Sequence, residues 1–572
     1  IGDGLREVAR LQVGALAVLA ESGVPTRWLD PLADEEQADE NTSAEETNKD
    51  AGAGPGGEDA DAGDAAAEKA HLALMVLLDA SVVQKSADGS VTMLHRLQGQ
   101  VLRENWNQGE RAEAFDAATD LLDRVNIDSL PRSNAEGRRQ EARDLIDQLR
   151  AIAAQNYSRP LFEREQVVAA LPHHAFFHAR DLGLPNEALA LRGAVSAVEE
   201  VQGDDHPHAL ASRNGLAAAY RAAGRVGEAI PLLEEVLADR VRVLGADHPD
   251  TLVSRNNLAY AYRAAGRLGE AIPLYEEVLA DRVRVLGDDH PDTLTSRNNL
   301  AAAYESAGRL GEAIPLYEQV LADRVRVLGD DHPQTLTSRN NLAYAYESAG
   351  RLGEAIPLLE EVAADSARVL GEDHPDTLTS RNNLAGAYES AGRLGEAIPL
   401  YEEVLADSVR VLGADHPDTL ASRNNLAYAY QAAGRLGEAI PLYEQVAADS
   451  VRVLGDDHPH TLASRNNLAY AYYSASRLRE AIPLYEQVLA DSVRVLGEDH
   501  PHTLISRNNL ATAYQAAGRL DDARALFKDT LEVCEEALSP DHPLTIQVRR
   551  NLKALNREMN QSPASSPESS EE

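Results

Sequence analysis

Residues 248–289 read HPDTLVSRNNLAYAYRAAGRLGEAIPLYEEVLADRVRVLGDD, and residues 290–331 read HPDTLTSRNNLAAAYESAGRLGEAIPLYEQVLADRVRVLGDD. The two segments have the same length and differ at only five positions. The pair His-Pro that opens them recurs every 42 residues, at His206, His248, His290, His332, His374, His416, His458, His500 and His542. A fixed period of this length is the signature of an array of stacked structural repeats.

Each unit is predicted to form two helices. Apolar residues recur at helical spacing from Thr251 to Gly266, and again from Leu268 to Gly287. The segment that begins at Asp247 offers an N-cap and a proline for the first turn, and each glycine stands where a helix would end in the left-handed conformation. A single helical hairpin cannot bury its apolar face alone, so consecutive units must stack into a solenoid.

Several residues of this unit resemble the tetratricopeptide repeat, in the 42-residue form found in kinesin light chains. They are Asn257-Leu258-Ala259, Tyr262, Gly266, Glu270-Ala271 and Pro273-Leu274-Tyr275. The resemblance implies an all-α fold, a right-handed superhelical solenoid of eight repeats over residues 205–541, followed by a capping helix at residues 542–559. In that family the first helices line a concave groove that binds a protein or an extended peptide.

Differences between the copies indicate where a partner would bind. The two quoted units differ at the positions of Val253, Tyr260, Arg263, Ala264 and Glu277, and four of these lie in the first helix. At about 100° per residue, the four first-helix positions share one helix face, broadly opposite the face that packs. We therefore predict that this face forms the partner-binding groove.

The predicted groove carries three rows of side chains. Tyr260, Tyr344, Tyr428 and Tyr470 are aromatic anchors, Arg221, Arg263, Glu305, Glu347 and Glu389 form a charged row that is basic first and acidic later, and Asn214, Asn256, Asn298, Asn340, Asn382, Asn424, Asn466 and Asn508 form a ladder of amides. An amide carries both a donor and an acceptor, so this ladder could bind an extended backbone without reading its side chains. It resembles the asparagine ladder of kinesin light chains.

Two other interpretations stay open for these rows. Exposed positions can drift without selection, and the asparagines can serve the scaffold by hydrogen bonding to the adjacent helix. The repeated histidines are expected to cap loops, because equivalent atoms of stacked hairpins lie roughly 10 Å apart whereas zinc needs its ligands at about 2 Å. The histidine pair His174 and His178, which shares a helix face with Asp181, is also expected to be structural.

Residues 1–106 are predicted to form a small winged-helix-like α+β domain. Helical patterns cover residues 5–22, 24–29 and 71–78, strand patterns cover residues 81–84 and 90–94, and a final helix covers residues 95–103. The turn Asp88-Gly89 joins the two strands as a hairpin. Residues 33–68 hold thirteen carboxylates and one lysine, so this acidic insertion is predicted to be disordered.

The segment Met93-Leu94-His95-Arg96-Leu97-Gln98, with Val101-Leu102-Arg103, resembles the region after the nucleotide-binding module of signal-transduction ATPases with numerous domains. In many actinobacterial proteins of this type tetratricopeptide repeats follow. The resemblance implies that an ATPase module lies upstream of this chain and that residues 1–106 hold it in its resting state. A small helical domain that only caps the solenoid is the alternative.

The remaining segments are simpler. Residues 107–204 are predicted to be a helical linker that ends in a degenerate helical hairpin. Residues 560–572 are mainly Ser, Pro and Glu, and are predicted to be a disordered acidic tail.

Composition excludes several classes of function. The 93 acidic residues exceed the 54 basic ones and give a net charge of −39, which repels phosphate backbones and anionic membranes. The single cysteine, Cys534, excludes a disulfide framework and fits a reducing cytoplasm. We expect no nucleic-acid partner and no membrane association, and self-association stays open.

No catalytic motif is convincing in this sequence. The P-loop, H-E-x-x-H and G-x-S-x-G patterns are absent. Gly52, Gly54 and Gly57 match G-x-G-x-x-G, but they lie in the acidic insertion without the strand and helix that a dinucleotide site requires. We therefore expect no catalytic site, no metal and no cofactor.

Two functions agree with these observations. The first is the partner-binding arm of a regulatory ATPase, in which the solenoid binds a protein or peptide and residues 1–106 transmit that event to the nucleotide module. The second is a free-standing adaptor that scaffolds other proteins without nucleotide coupling.

Overall fold

The computed structural model describes residues 3–19, 23–29, 72, 74–75, 77–78, 82–88, 90–94, 96–123, 125–130, 134–538 and 542–561. The predicted disordered insertion at 33–68 and almost all of the predicted acidic tail lie outside these residues. The chain divides into two units, residues 1–219 and residues 220–572. The division falls inside the first helix of the array, so the predicted boundary at residue 205 stays a prediction.

A small antiparallel sheet lies in the N-terminal unit. Its elements are helix α1 (Asp3–Val18), strand β1 (Val24–Pro25), helix α2 (Thr26–Leu29), strand β2 (Val83–Lys85), strand β3 (Val91–Leu94) and helix α3 (Arg96–Asn105). The strand order is β1-β3-β2, and both pairs are antiparallel. Residues 72, 74–75 and 77–78 are helical. The predicted hairpin is therefore present.

Strand β1 is a correction to the sequence analysis. Val24 and Pro25 were predicted to begin a helix, whereas Val24 pairs with Thr92 and Pro25 with Val91. The helix begins only at Thr26, whose hydroxyl lies 2.9 Å from that of Thr92. A two-residue strand is too short to show periodicity, and its partners lie 68 and 66 residues away in the chain, so the sequence does not indicate it.

Helices fill the rest of the N-terminal unit. They are α4 (Gln108–Asp123), α5 (Ala135–Ala154), α6 (Glu165–Ala170), α7 (Phe176–Asp181), α8 (Pro185–Leu189) and α9 (Arg192–Gln202). Glu141 on α5 accepts hydrogen bonds from Trp28 Nε1 at 2.5 Å and from Arg27 Nε at 2.6 Å. Because these contacts tie α2 to α5, residues on both sides of the predicted boundary at 106 belong to one unit.

The repeats form pairs of helices. The first helices are Pro207–Ala222, Pro249–Ala264, Pro291–Ser306, Pro333–Ser348, Pro375–Ser390, Pro417–Ala432, Pro459–Ser474 and Pro501–Ala516. The second helices are Val226–Leu244, Leu268–Leu286, Leu310–Leu328, Leu352–Leu370, Leu394–Leu412, Leu436–Leu454, Leu478–Leu496 and Leu520–Ala537. A last helix, Pro543–Gln561, covers the end of the array. The helical solenoid predicted from the repeat is confirmed.

Histidine, rather than the predicted aspartate, caps the first helix of each unit. Nδ1 of His248 accepts a hydrogen bond from the backbone N–H of Asp250 at 3.2 Å, and the copies of His248 along the array do the same. Gly266 has a φ angle of +74° and is followed by the bond from Arg267 N to Tyr262 O, so the predicted left-handed end of the first helix is confirmed. Gly287 has a φ angle of +92° but a ψ angle of +164°, so the second helix ends in a different conformation that is also restricted to glycine. The repeated imidazoles are structural caps.

Small residues let neighbouring helices approach closely around a buried tyrosine. Tyr275 and the alanines Ala259, Ala271 and Ala303 are all fully buried in one apolar cluster. Leu300 of the following repeat belongs to the same cluster. Each hairpin therefore completes its core only with the residues of its neighbour.

A polar tie joins each first helix to the preceding second helix. Tyr262 donates its hydroxyl to Glu234 Oε1 at 2.7 Å, and the guanidinium of Arg267 lies 4.4 Å from the centre of the tyrosine ring. Burial, reinforced by the bond to Glu234, raises the pKa of Tyr262 to about 12. The same contact is repeated at Tyr304, Tyr346, Tyr388, Tyr430, Tyr472 and Tyr514.

Repeats that are far apart in sequence also meet within residues 220–572. Nε2 of His458 lies 2.9 Å from the carbonyl oxygen of Ala222, and His500 makes the equivalent contact to Ala264 at 3.5 Å. Because Nδ1 of His458 accepts the capping hydrogen bond, its proton is on Nε2, which donates to the carbonyl. One uncharged imidazole thus caps a helix and ties two distant repeats together.

The double role of His458 predicts an acid-sensitive array. His458 is 7% exposed, and burial lowers its pKa to about 4, below the ordinary 6.5. Between pH 6.5 and 4 the imidazole is protonated in the unfolded chain but neutral in the folded chain. The contribution of His458 to the free energy of unfolding is therefore complete above pH 6.5 and is lost as the pH falls toward 4. The variant His458→Asn keeps a capping acceptor but loses the bond to Ala222. At pH 7.5 the free energy of unfolding of the wild type should be about 1 kcal/mol higher than that of this variant.

Urea unfolding followed by circular dichroism at pH 7.5, 6, 5 and 4.5 measures this difference. The advantage of the wild type should shrink at each step. A difference between the two proteins that is the same at every pH would contradict the assignment of the neutral imidazole.

Candidate peptide-binding groove

First helices line the inner side of the repeat array. In the described part of residues 220–572, consecutive first helices contact one another more closely than consecutive second helices do. An array built in this way curves toward its first helices. The first helices therefore lie on the concave side, and the assignment of their variable face to a partner-binding groove stays a prediction.

The asparagine ladder is already half used by the scaffold. The Oδ1 atom of Asn256 accepts a hydrogen bond from Asn299 Nδ2 at 3.0 Å. The same bond is made at 3.0–3.3 Å by Asn298, Asn340, Asn382, Asn424, Asn466 and Asn508, each with the second asparagine of the next unit. These amides thus contribute to repeat stacking, and their Nδ2 groups are the part of the ladder that can serve a partner.

The two ends of the ladder differ from its middle. Asn508 is only 4% exposed, because it lies beside the last helix, whose Asn551 it binds. It cannot serve a partner in this structure, so its place in the predicted groove is corrected. Asn214 lies on helix Pro207–Ala222, in the N-terminal unit.

Four tyrosines point away from the packed core. Tyr344, Tyr428, Tyr470 and Tyr260 are 55%, 50%, 43% and 36% exposed. Tyr470 stacks on Tyr473 with ring centres 6.1 Å apart. Exposed aromatic rings on a repeated surface are the side chains that most often anchor protein partners.

Tyr260 is held between two arginines. The guanidinium groups of Arg221 and Arg263 lie 4.1 and 4.9 Å from the centre of its ring. Both cations are therefore close together at the start of the array, where they form a basic end of the groove.

The acidic row in the middle of the array is partly buried and hydrogen bonded. Glu305 accepts from the hydroxyls of Tyr317 at 3.0 Å and Ser348 at 3.3 Å, and Glu347 accepts from Ser390 at 2.6 Å. Burial raises the pKa of Glu305. The row therefore has a fixed geometry rather than being a set of freely mobile carboxylates.

Glu389 is held by a buried tyrosine that reaches it past a glycine. Tyr401, on the second helix of its repeat, reaches Glu389 Oε2 at 3.3 Å past Gly386. A Cβ atom at Gly386 would already lie 3.3 Å from the Tyr401 hydroxyl. In the preceding repeat Tyr344 stands at the position that corresponds to Gly386, and Leu359 stands at the position that corresponds to Tyr401. The exposed Tyr344 thus occurs with a buried leucine. The other exposed tyrosines stand in repeats that keep the buried tyrosine, namely Tyr260, Tyr428 and Tyr470.

The residues that hold the acidic row were not predicted from the sequence. Tyr317 and Tyr401 stand at the position of Tyr275, which was interpreted only as part of the repeat motif, and Ser306 stands at the variable position of Ala264. A serine at the position of Ala264 forms a hydrogen bond with the charged position of the preceding unit. Ser348 donates to Glu305, and Ser474 accepts from Gln431 Nε2. The sequence alone does not reveal this bond, because the same position is alanine after Arg221 and after Glu389, at Ala264 and Ala432.

Among the described residues, no group of three or more His, Cys, Asp or Glu side chains could hold a metal ion. The histidines His174 and His178 stack on each other, and Asp181 lies beside Arg138. No helix in the described ranges combines the length and the apolar character needed to cross a membrane.

Stacked helical hairpins with a lined concave face define a solenoid repeat protein. The tetratricopeptide repeat model matches residues 167–240, 214–282, 266–324, 307–366, 349–408, 391–449, 418–492, 477–536 and 503–566. These segments cover more than half of the chain, so it belongs to the tetratricopeptide repeat family. Proteins built from such repeats are scaffolds that bind proteins or peptides. No curated protein sequence matches the chain.

Solved structures of three proteins illustrate what the chain is similar to. Nearly identical tetratricopeptide-like repeats from Podosopora anserina, described as those of a kinesin light chain, are 41% identical over 36% of this chain and 97% of their own, with TM-scores of 0.31 and, for a point variant, 0.32. BtubC from P. vanneervenii is 21% identical over 41% and 92%, with a TM-score of 0.32. A signal-transduction ATPase with a tetratricopeptide repeat sensor from Pyrococcus horikoshii is 14% identical over 87% and 66%, with a TM-score of 0.44.

The pKa of Glu389 predicts a stabilising substitution. Burial, with a smaller contribution from Glu347, raises this pKa to about 7, above the ordinary 4.5. The folded chain therefore holds a proton that the unfolded chain has lost, so the contribution of Glu389 to stability decreases as the pH rises from 4.5 through 7. Glu389→Gln should raise the free energy of unfolding at pH 8 by on the order of 1 kcal/mol and have little effect at pH 4.5.

The matched control is Glu361→Gln, which removes one negative charge from an exposed position. Urea unfolding at both pH values should leave this variant close to the wild type. If Glu361→Gln stabilises the protein as much as Glu389→Gln, the effect is due to net charge and not to the buried carboxylate.

Proposed function

We propose that the concave face of the first helices binds an extended peptide segment of a protein partner. The observation that carries the proposal is the row of exposed tyrosines, Tyr260, Tyr344, Tyr428 and Tyr470, which stands beside a ladder of amides. The rings bury apolar area, while the Nδ2 groups of the asparagines donate to the carbonyls of the bound backbone. Hydrogen bonds to the peptide backbone give affinity, and the aromatic and charged rows beside the ladder fix the register of the peptide along the repeats.

The charges of the groove indicate the sequence of the peptide. Equivalent positions in successive repeats lie roughly 10 Å apart, and an extended chain covers about 3.3 Å per residue. One repeat therefore faces about three peptide residues. The Arg221 and Arg263 end favours an acidic residue, and the Glu347 region favours a basic one.

We further propose that this scaffold is the partner-binding arm of a regulatory ATPase in the cytoplasm. The support is the resemblance of residues 93–103 to the region after the nucleotide-binding module in such proteins, together with the helix and hairpin order of residues 1–106. Partner and nucleotide would then be linked reciprocally, so that each changes the affinity of the other by the same factor. The alternative is a free-standing adaptor. The net charge of −39 supports a protein rather than a nucleic acid or a membrane as partner.

The tyrosine row predicts a loss of binding without a loss of fold. Peptides selected from a random library on the wild-type chain should bind the variant Tyr260→Ala, Tyr344→Ala, Tyr428→Ala, Tyr470→Ala at least tenfold more weakly, because each truncation removes an exposed aromatic contact. Fluorescence anisotropy measures the affinity, and circular dichroism should show unchanged helicity.

The matched control changes exposed apolar residues of the second helices. The variant Val243→Ala, Val285→Ala, Val327→Ala, Val409→Ala alters four side chains of similar exposure on the other helix of each repeat. It should bind the selected peptides like the wild type. Equal losses in both variants, or none in the tyrosine variant, would refute the groove assignment.

The ATPase proposal has its own test. In the full gene product, an upstream P-loop module should exchange nucleotide at a rate that changes when a selected peptide is added. An unchanged exchange rate at saturating peptide leaves the adaptor function.

A further inference from the structure

One buried position of the second helix changes chemistry partway along the array. It is arginine in three successive repeats, Arg240, Arg282 and Arg324, and serine in the next four, Ser366, Ser408, Ser450 and Ser492. All seven side chains are buried. The repeats are otherwise nearly identical. The space that an arginine side chain fills in the earlier repeats therefore holds only a serine in the later ones.

In the earlier repeats the guanidinium fills a site between two first helices. Arg324 Nη1 donates to the backbone oxygen of Gln334 at 2.8 Å and to Ser338 Oγ at 2.7 Å, while Nη2 lies 3.4 Å from Thr295 Oγ1. Arg240 and Arg282 make the first two contacts at 2.8–2.9 Å. This chain thus contains a guanidinium site whose acceptors are a helix carbonyl and a hydroxyl.

A pocket of about 180 Å³ lies where the arginine is missing. The residues that correspond to Thr295, Gln334 and Ser338, counted three repeats further along, are Ala421, His460 and Ser464. All three line this pocket, as does Ser450 at the arginine position. The helix carbonyl and the serine hydroxyl of the guanidinium site therefore have counterparts here, whereas Ala421 replaces the hydroxyl of Thr295 and the arginine is absent from the sequence of this repeat.

The pocket opens on the proposed groove. Its inner residues Leu420, Val446, Leu454 and Ser464 are buried, whereas Ala421 and His460 at its edge are exposed. Asn424 and Asn467 of the amide rows also line it. A side chain that projects from a peptide on the amide ladder is thus close enough to enter.

We propose that the pocket beside Ser450 binds an arginine side chain of the partner peptide. The identity of the peptide as the donor rests on the proposed groove function. Guanidinium is the one group that this fold already places among the same acceptors, in Arg240, Arg282 and Arg324. No carboxylate lines the pocket, which disfavours lysine, because an ammonium group is more strongly hydrated than a guanidinium and presents no planar fork of donors. The apolar walls fit the methylene stem of arginine.

Filling the pocket from within should block the site. In Ser450→Arg the new side chain can occupy the volume as Arg324 does in its own repeat, so the variant should fold. A fluorescein-labelled peptide selected on the wild type for a required arginine should bind this variant at least tenfold more weakly. The control Gln445→Arg adds the same charge at an exposed position of the same helix and should bind like the wild type.

The site can also be created elsewhere. Arg324→Ser reproduces the residue found in the next four repeats and should open a second pocket. N-acetylarginine methylamide, followed by saturation-transfer nuclear magnetic resonance, should give a stronger signal with this variant than with the wild type and a weaker one with Ser450→Arg. The lysine analogue should give neither change.

The outcomes separate the pocket from the groove. Selected peptides that bind Ser450→Arg as well as the wild type, or that tolerate replacement of every arginine by glutamine, would overturn the arginine site while leaving the groove function intact. Binding of N-acetylarginine methylamide that is lost in Ser450→Arg, without any peptide binding, would support the pocket and refute the groove.

Discussion

The structure depends on one constraint, which is that no helical hairpin of this chain can bury its own apolar face. Tyr275 becomes fully buried only because Ala259 and Ala271 allow close approach and the next repeat supplies Leu300. The polar groups follow the same rule, since Tyr262 donates to Glu234 of the preceding repeat. Stability is consequently a property of neighbouring pairs, and the first helices vary mainly on the face opposite the one that packs.

That variation explains how a nearly uniform scaffold displays a non-uniform surface. Where Gly386 leaves room, Tyr401 reaches across to bind Glu389, whereas Tyr344 occupies the same space in the repeat before it and its buried partner is a leucine. The charged row and the aromatic row are thus coupled through the core in these two repeats. In other repeats an exposed tyrosine occurs together with a buried tyrosine, so an exposed tyrosine is compatible with more than one core residue. These pairs are Tyr260 with Tyr275, Tyr428 with Tyr443 and Tyr470 with Tyr485.

The repeat made most of the fold predictable, because each pattern was present in many copies and the helix ends were marked by Gly266 and Gly287. Long-range and atomic details were not predictable. The strand at Val24 depends on pairing with Thr92, and the cap proved to be His248 rather than Asp247 because an imidazole nitrogen can reach the Asp250 amide. The asparagine rows could be recognised as a ladder, but only the contact between Asn256 and Asn299 shows that its carbonyl oxygens belong to the scaffold.

The contact between His458 and Ala222 sets a minimum size for such an array. It joins the end of one first helix to the cap of another six repeats further along, so an array of six repeats or fewer would have no residue to complete it. Above that length, each copy gained by unequal recombination arrives with the same histidine and the same carbonyl, and forms the contact without any new mutation. The protein can therefore change its length over evolutionary time in whole repeats, while shortening below this threshold removes an entire class of contacts at once.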